Sequence, residues 1–346
     1  MSGCEAYFLV GPTASGKTAV AHALARKLGL EILSADAMLV YRGFDIGTAK
    51  PTTAERAGLH YHGIDLVSPA EDFSVGTFLQ HARQAFAECH RRGHRMLVAG
   101  GTGLYVKALL EGLDSDQAPD PARRRYWNQR LAAEGLASLQ ATAEQLCPGI
   151  LARMADAQNP RRLVRVLERL EEGLDPLPSP APGADAPPPQ DSAAPWPNSS
   201  APGLWQSPDS ATSPPLAGLW FEPPELNRRI AQRIELMFAA GLLAETERLR
   251  SEYPVWSETA RGAIGYAEAL AVLAGDMTLT EARERIAART RQLAKRQRTW
   301  YRHQLIVSWI GGPADATDVA RAAAAVERIW LQHGPQRIRC FENLPT

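Results

Sequence analysis

Gly11-Pro12-Thr13-Ala14-Ser15-Gly16-Lys17-Thr18 has the spacing Gly, four residues, Gly-Lys-Ser/Thr, which is chemistry for holding a pyrophosphate. Gly11 and Gly16 let the backbone turn so that N–H groups point inward, and a helix starting at the loop adds partial positive charge where they converge. Thr13, Ala14 and Ser15 complete the nest. Lys17 supplies a mobile cation to the terminal phosphate oxygens, and the Thr18 hydroxyl is placed to help hold a magnesium ion. Nucleotides such as ATP are the common cargo of such a nest, so phosphoryl transfer is the first chemistry to consider. A second reactive candidate is Asp36, which lies at the end of the strand-like stretch Glu31-Ile32-Leu33-Ser34. A carboxylate there, facing a phosphate nest, is a candidate base or metal partner, and equally a helix N-cap. Thr102, in the turn Gly100-Gly101-Thr102-Gly103, is either a hydrogen-bonding group of the same site or the cap of the next helix.

These groups need strands and helices to position them, and the pattern supplies both. Tyr7-Phe8-Leu9-Val10 reads as a buried strand before the phosphate loop, and Ala19 to Leu28 as a helix that stops at Gly29. Glu31 to Ser34 is a second strand and His60 to Val67 a third apolar segment. Phe73 to Arg92 is a helix with Phe78, Ala82, Ala85, Phe86 and Cys89 on one face, and Arg95 to Ala99 is the next strand. That strand ends in glycines, not in the Asp that a Walker-B strand presents to magnesium, which argues against a hydrolysing NTPase. Gly43 to Pro51 reads as a loop beside the site. His60, His62, His81 and His90 have no metal-ligand spacing and read as solvated or capping.

From Pro119 the pattern is helical. Arg123, Arg124, Arg125 and Arg130 share one helix, and Asn159-Pro160 opens another with Leu163, Val166, Leu167 and Leu170 as its buried stripe, leaving Arg161, Arg162, Arg165 and Arg169 on solvated faces. Between Glu172 and Leu216 Pro, Ala, Ser, Asp and Gly dominate, and such a segment lacks the apolar surface to offset its ordering entropy, so it reads as a disordered insertion. Gly218 to Phe221 resumes as a strand, followed by helices from Glu225 to about Ala240 and on to Arg250, and Gly262 to Tyr266 is a glycine-spaced turn. Arg283 to Arg302 carries eight Lys or Arg against one acidic residue, Glu284. Ile286, Leu293 and Trp300, with Ala287, Ala294 and Tyr301, make its inward stripe, and Arg289, Lys295, Arg296, Arg298 and Arg302 cover much of the rest. Such a face is either an electrostatic footprint for nucleic-acid phosphates or a solvated surface. Leu305 to Ile310 reads as a closing strand.

Together these patterns give an α/β fold: a phosphate-loop (P-loop) parallel-sheet core over 1–118, an inserted helical domain over 119–172, the Pro-rich insertion over 173–215, and C-terminal helices with a closing strand over 216–346 that complete the core. A chain of 346 residues, 45% hydrophobic, can bury a core of this size. No stretch approaches the roughly 20 apolar residues of a membrane helix and no signal-peptide layout is seen, so a cytoplasmic, non-membrane protein is expected; a monomer is the separate expectation for its assembly. Cys4, Cys89, Cys147 and Cys340 are far apart and suggest neither disulfide nor zinc. Net charge is zero, so any affinity for a polyanion must come from a local face.

Four segments carry a resemblance. The phosphate loop, Asp36 to Pro51, Gly100 to Tyr105 and Arg291 to Trp300 together resemble the tRNA dimethylallyltransferase family, in that family's order and over nearly the whole ordered chain. The resemblance implies transfer of a dimethylallyl group from dimethylallyl diphosphate to N6 of the adenosine beside the anticodon of tRNA, with magnesium as cofactor and the anticodon stem-loop as partner. Asp36 matches the catalytic carboxylate, Thr102 the threonine lining the reaction channel, and Thr13 to Thr18 the diphosphate-binding stretch. The tRNA-contacting regions match Asp36, Ala37, Met38 and Leu39; Arg161, Arg162, Leu163, Val164 and Arg165; Gly262, Ala263, Ile264, Gly265, Tyr266 and Ala267; and Lys295, Arg296, Arg298, Trp300 and Arg302. Ala35 and Ala37 depart from the small polar residues usual beside the carboxylate, and the family's short segment after the Arg161–Glu168 helix is replaced here by the long Pro-rich insertion.

Overall fold

The computed structural model describes residues 5–112, 120–154, 156–177 and 215–338. In chain order these form β1 (Glu5–Val10), α1 (Lys17–Leu28), β2 (Leu30–Ser34), β3 (Tyr61–His62), α2 (Val75–Arg91), β4 (Arg95–Gly100), α3 (Gly103–Glu111), α4 (Pro121–Leu146), α5 (Ile150–Arg153) and α6 (Pro160–Glu171). After the insertion come β5 (Leu216–Trp220), α7 (Pro223–Ala239), α8 (Leu242–Glu252), α9 (Glu258–Arg261), α10 (Tyr266–Ala274), α11 (Leu279–Gln304), β6 (Val307–Gly311), α12 (Val319–His333) and β7 (Gln336–Arg337). The chain divides into two units, residues 1–112 with 191–346, and residues 113–190. Most of the Pro-rich stretch, 178–214, lies outside the described residues, as do Cys4 and Cys340.

In the first unit the strands run in the order β3-β2-β4-β1-β5-β6, all parallel, with β7 antiparallel to the start of β1. Parallel strands are buried on both faces, and strand side chains alternate between them. Ala6, Phe8 and Val10 of β1, Leu33 of β2 and Met96 and Val98 of β4 therefore pack with Phe78, Ala82, Phe86 and Cys89 of α2 and Val106 and Leu109 of α3. Leu9, Ile32 and Leu97 face the other way, onto Val20, Ala21 and Leu24 of α1 and Ala322 and Val326 of α12. The expected α2 face is the buried one. The structure adds α12, whose Trp330 stacks on Tyr7 and donates its indole N–H to the Phe8 carbonyl at 3.2 Å.

The apolar segment after His60 makes only the two-residue β3 and a lone bridge between Tyr41 and Val67. Gly63 and Asp65 both have positive φ and turn the chain away from the ladder. On α11 the buried residues are Ala282, Ile286, Ala294 and Tyr301. Leu293 and Trp300 are only half-buried, because a straight helix drifts off a strict seven-residue repeat.

In the second unit Trp127, Leu139, Leu163 and Leu167 form a small core. Asn159 caps α6 by accepting from the Arg161 and Arg162 amides, with Pro160 in the first turn. Arg169 corrects the sequence expectation of a solvated side chain: it is buried, and its guanidinium donates to the Asp175 carbonyl. Arg165 donates to the buried Glu168 carboxylate at 3.1 Å, which also receives both nitrogens of the Arg124 fork.

Glu31 is the buried charge at the start of β2. Burial pushes its carboxyl up, but hydrogen bonds from Arg92, His62 and His94 outweigh that and hold it at about 2. His62, at 2.7 Å, is therefore neither a capping residue nor merely solvated. A depressed carboxyl stabilises the fold above its unfolded value and loses that contribution as pH falls toward about 2. Wild-type thermal stability should fall between pH about 5 and 2 by on the order of 3 kcal/mol more than that of Glu31→Gln, read from paired melting curves across that range.

Candidate functional site

The phosphate loop leaves β1 through Gly11, whose φ is 149° and where a Cβ would lie 2.3 Å from the Leu219 carbonyl oxygen of β5. Ala14 (φ 63°) and Gly16 (φ 82°) are left-handed, which wraps the loop before α1 begins at Lys17. Lys17 folds back, its Nζ donating to the Pro12 carbonyl at 2.6 Å. Burial pushes its ammonium down to about 8, with Asp36 opposing the shift and Arg233 adding to it. Thr18 is exposed at the start of α1. The loop thus presents a partly desolvated cation and a helix N-terminus, the two features an anion site needs.

Asp36 sits where β2 ends, and its position is fixed by backbone. Ala35 donates to the Ala99 carbonyl at 2.9 Å, Thr102 donates its amide to the Ala35 carbonyl at 3.0 Å, and the Ala37 amide donates to Thr102 Oγ1 at 3.0 Å. Asp36 Oδ1 accepts from the Met38 amide at 2.9 Å. Thr102 occupies the cap position of α3, but its side chain makes no capping bond; it is spent on the Asp36 segment instead. Alanines flanking Asp36 therefore lose little, since main chain and Thr102 do the supporting. The Asp36 charge acts on Lys17 and Arg233, and it joins burial in pushing up the phenols of Tyr105 and Tyr301.

Three residues not assigned to this site from the sequence join it. Arg233 of α7 donates to Thr13 Oγ1 at 3.1 Å and to the Thr48 carbonyl at 2.8 Å, which puts a second cation at the nest. Arg229, one turn earlier, donates to the Ala14 carbonyl at 3.1 Å and to the Pro313 and Ala314 carbonyls. Gln297 of α11 bonds Thr13 and Gly101. Arg229 and Arg233 lie four apart on one helix, and Gln297 falls inside the Arg291 to Trp300 segment that carries the resemblance.

The loop after Asp36 is tied down on both sides. Lys50, buried, reaches the Tyr41 carbonyl at 2.7 Å, Asp65 at 2.6 Å and Asp45 at 2.9 Å. Gly47 donates to the Tyr266 hydroxyl at 3.1 Å, and that hydroxyl donates to Glu245, which also accepts the Ile46 amide. Tyr266, Ala263 and Gly265 are buried, so in the Gly262–Ala267 turn the outward residues are Gly262, exposed, and the half-buried Ile264 and Ala267. Arg289 corrects the expectation of a free basic face, since it pairs with the buried Glu268 and donates to the Gly262 carbonyl at 2.7 Å. Lys295 and Arg296 are exposed, Arg298 and Arg302 half-exposed, and Trp300 lies against Gly103. Ala37, Met38 and Leu39 are half-buried beside Asp36. In the second unit Arg161 and Arg162 are exposed, whereas Leu163 and Val164 are buried in its core.

Comparison with known proteins bears on this geometry. The IPP transferase family model matches residues 39–304, and the isopentenyl transferase model matches residues 4–64. The tRNA dimethylallyltransferase of Anaeromyxobacter dehalogenans (strain 2CP-C) is 40% identical over 90% of this chain and 97% of its own. That of Deinococcus radiodurans is 38% identical over 91% and 93%. Among solved structures, the tRNA isopentenylpyrophosphate transferase of Bacillus halodurans superposes with a TM-score of 0.62 at 30% identity, covering 95% of this chain and 98% of its own. A eukaryotic dimethylallyltransferase acting on tRNA shares the fold, with a TM-score of 0.68 at 22% identity and coverage of 98% and 82%.

Because burial pushes the Lys17 ammonium down to about 8, anion capture by the free protein should weaken as pH rises through that value. The kcat/KM for a diphosphate donor should fall on the alkaline side with an apparent pKa of about 8. A profile that stays flat to pH about 10, the usual lysine value, would show that Lys17 is not the group that must be charged.

Proposed function

The chain belongs to the IPP transferase family, and we propose that it transfers a dimethylallyl group from dimethylallyl diphosphate to N6 of the adenosine adjacent to the anticodon of tRNA, releasing diphosphate. At the coarser level it is a tRNA-modifying prenyl transferase, as its curated relatives are named. The observation that carries the finer reading is the meeting of opposite charges at one point. Lys17 and Arg233 lie at the phosphate loop and the Asp36 carboxylate acts on both. The departing diphosphate develops the largest charge of the reaction, and fixed cations in a desolvated site stabilise it. As the N6–carbon bond forms and the carbon–oxygen bond to diphosphate breaks, the amine must lose a proton, which Asp36 accepts.

Magnesium is part of the proposal. Among the described residues no group of three or more His, Cys, Asp or Glu is placed to hold a metal. The exposed Thr18 hydroxyl fits an ion that keeps most of its ligands from diphosphate and water. When bound, the ion would neutralise charge on the diphosphate oxygens. The exposed Lys295 and Arg296 of α11 suit RNA phosphates, and an adenine must leave its stack to be alkylated. Among the described residues no helix is long and apolar enough to cross a membrane. The loop, Asp36 and α11 all come from one unit of one chain, which supports a monomer, and a tRNA substrate supports a cytoplasmic site of action.

The test is incubation with labelled dimethylallyl diphosphate and either an unmodified anticodon stem-loop or free AMP. Label should enter the stem-loop alone. Label in AMP alone would overturn the RNA assignment. Asp36→Asn keeps shape and removes the base, so single-turnover transfer should fall about 10²–10⁴-fold, and a wild-type rate would place the base elsewhere. Neutralising Lys295 and Arg296 together should weaken stem-loop binding irrespective of sequence and reduce the log–log salt slope by about 0.7–0.9 per lost contact. An unchanged slope would leave those side chains as solvated surface.

A further inference from the structure

A neutral amide sits at the contact between the basic helix α11 and the phosphate loop. Gln297 Oε1 accepts the Thr13 amide at 2.8 Å, and Gln297 Nε2 donates to the Gly101 carbonyl at 3.0 Å. One partner is a donor and the other an acceptor, so only this orientation of the amide satisfies both. The fit is close, since a Cβ on Gly101 would lie 2.5 Å from Gln297 Nε2. Neighbouring residues of α11 extend the contact. Trp300 fills the space over Gly103, where a Cβ would meet the ring at 2.1 Å, and the Tyr301 hydroxyl reaches the Gly100 carbonyl at 3.4 Å.

The consequence lies in what the two partners of Gln297 do. Thr13 belongs to the loop that takes the diphosphate, and its hydroxyl receives Arg233. Gly101 precedes Thr102, whose side chain holds the Ala37 amide beside Asp36. A rigid two-bond bridge thus spans the donor side and the base side of the site, and it is mounted on the helix that also carries the exposed Lys295 and Arg296.

We propose that Gln297 is a positioning residue of the transfer reaction, setting the phosphate loop and the Asp36–Thr102 turn in register without touching either substrate. The inference rests on the reaction proposed above. Placement errors of about an ångström cost on the order of 10²-fold in rate, so loss of the bridge should appear in turnover and donor KM while stem-loop affinity is kept.

Two variants test it. Gln297→Met is nearly isosteric and makes neither bond; transfer should fall about 10–100-fold, with stem-loop affinity within about twofold of wild type. Gln297→Glu can both accept from Thr13 and donate to Gly101 only while its carboxyl is protonated. The ratio of its rate to that of Gln297→Met should therefore rise as pH falls from about 8 to about 5, toward the carboxyl range. A Gln297→Met enzyme with wild-type turnover, or a Glu-to-Met rate ratio independent of pH, overturns the proposal. If Gln297→Met melts well below wild type, the pH profile of Gln297→Glu relative to wild type decides alone. Wild-type protein that transfers no label in the same assay overturns the reaction itself, and with it this role, so the two failures are distinguishable.

Discussion

A Cβ on Gly100 would lie 2.2 Å from the carbonyl oxygen of Ala35, and the arrangement of the site depends on that missing atom. Without it the ends of β2 and β4 close on one another, Thr102 reaches across to the Ala37 amide, and Asp36 is delivered to the edge where β1 releases the phosphate loop. Parallel strands all present their carboxyl ends to one side, and that edge is where open α/β sheets bind ligands. The same close approach explains why this strand ends in glycines and has no room for a metal-binding aspartate. The placement of Asp36 comes from main chain meeting main chain, which side-chain substitution beside it disturbs little.

Charge placement follows from that closure. Lys17 and Arg233 are both desolvated and both shifted down by burial, with Asp36 the opposing charge. Two cations near one carboxylate are under-neutralised, and in a low-dielectric pocket that imbalance favours an incoming dianion. Arg229 stays outside the nest, holding the Ala14 carbonyl and lying over the Phe221 ring at 4.5 Å. It keeps the left-handed Ala14 in place, so the loop is shaped before any ligand arrives.

The helices of the C-terminal part act as a clamp built by large side chains on small ones. Tyr266 lies where a Cβ on Gly47 would be 2.4 Å from its ring, and it stacks on Phe44 with centroids 4.0 Å apart. Trp300 does the same over Gly103. The glycines of these segments look like turn formers, yet these two are sites of close packing, with no positive φ. The basic composition of α11 hides a division of labour: Arg289 is committed to Glu268 and to the Gly262–Ala267 turn, while Lys295 and Arg296 face outward.

The phosphate loop, the strand and helix that flank it, the buried face of α2 and the place of Asp36 after a strand are all legible along the chain. Each of these is a contiguous signal, a spacing or a period within a few residues, and local backbone physics is enough to read it. Folding in three dimensions settles that Thr102 supports Asp36 instead of capping α3, that Arg233 and Gln297 meet Thr13 across 220 and 284 positions of chain, and that Arg169 and Arg289 are spent on internal partners. A helical period says which face a residue lies on, not what packs against that face. Partners so far apart in the chain are chosen by how the sheet and its covering helices close on each other, and no local pattern encodes that.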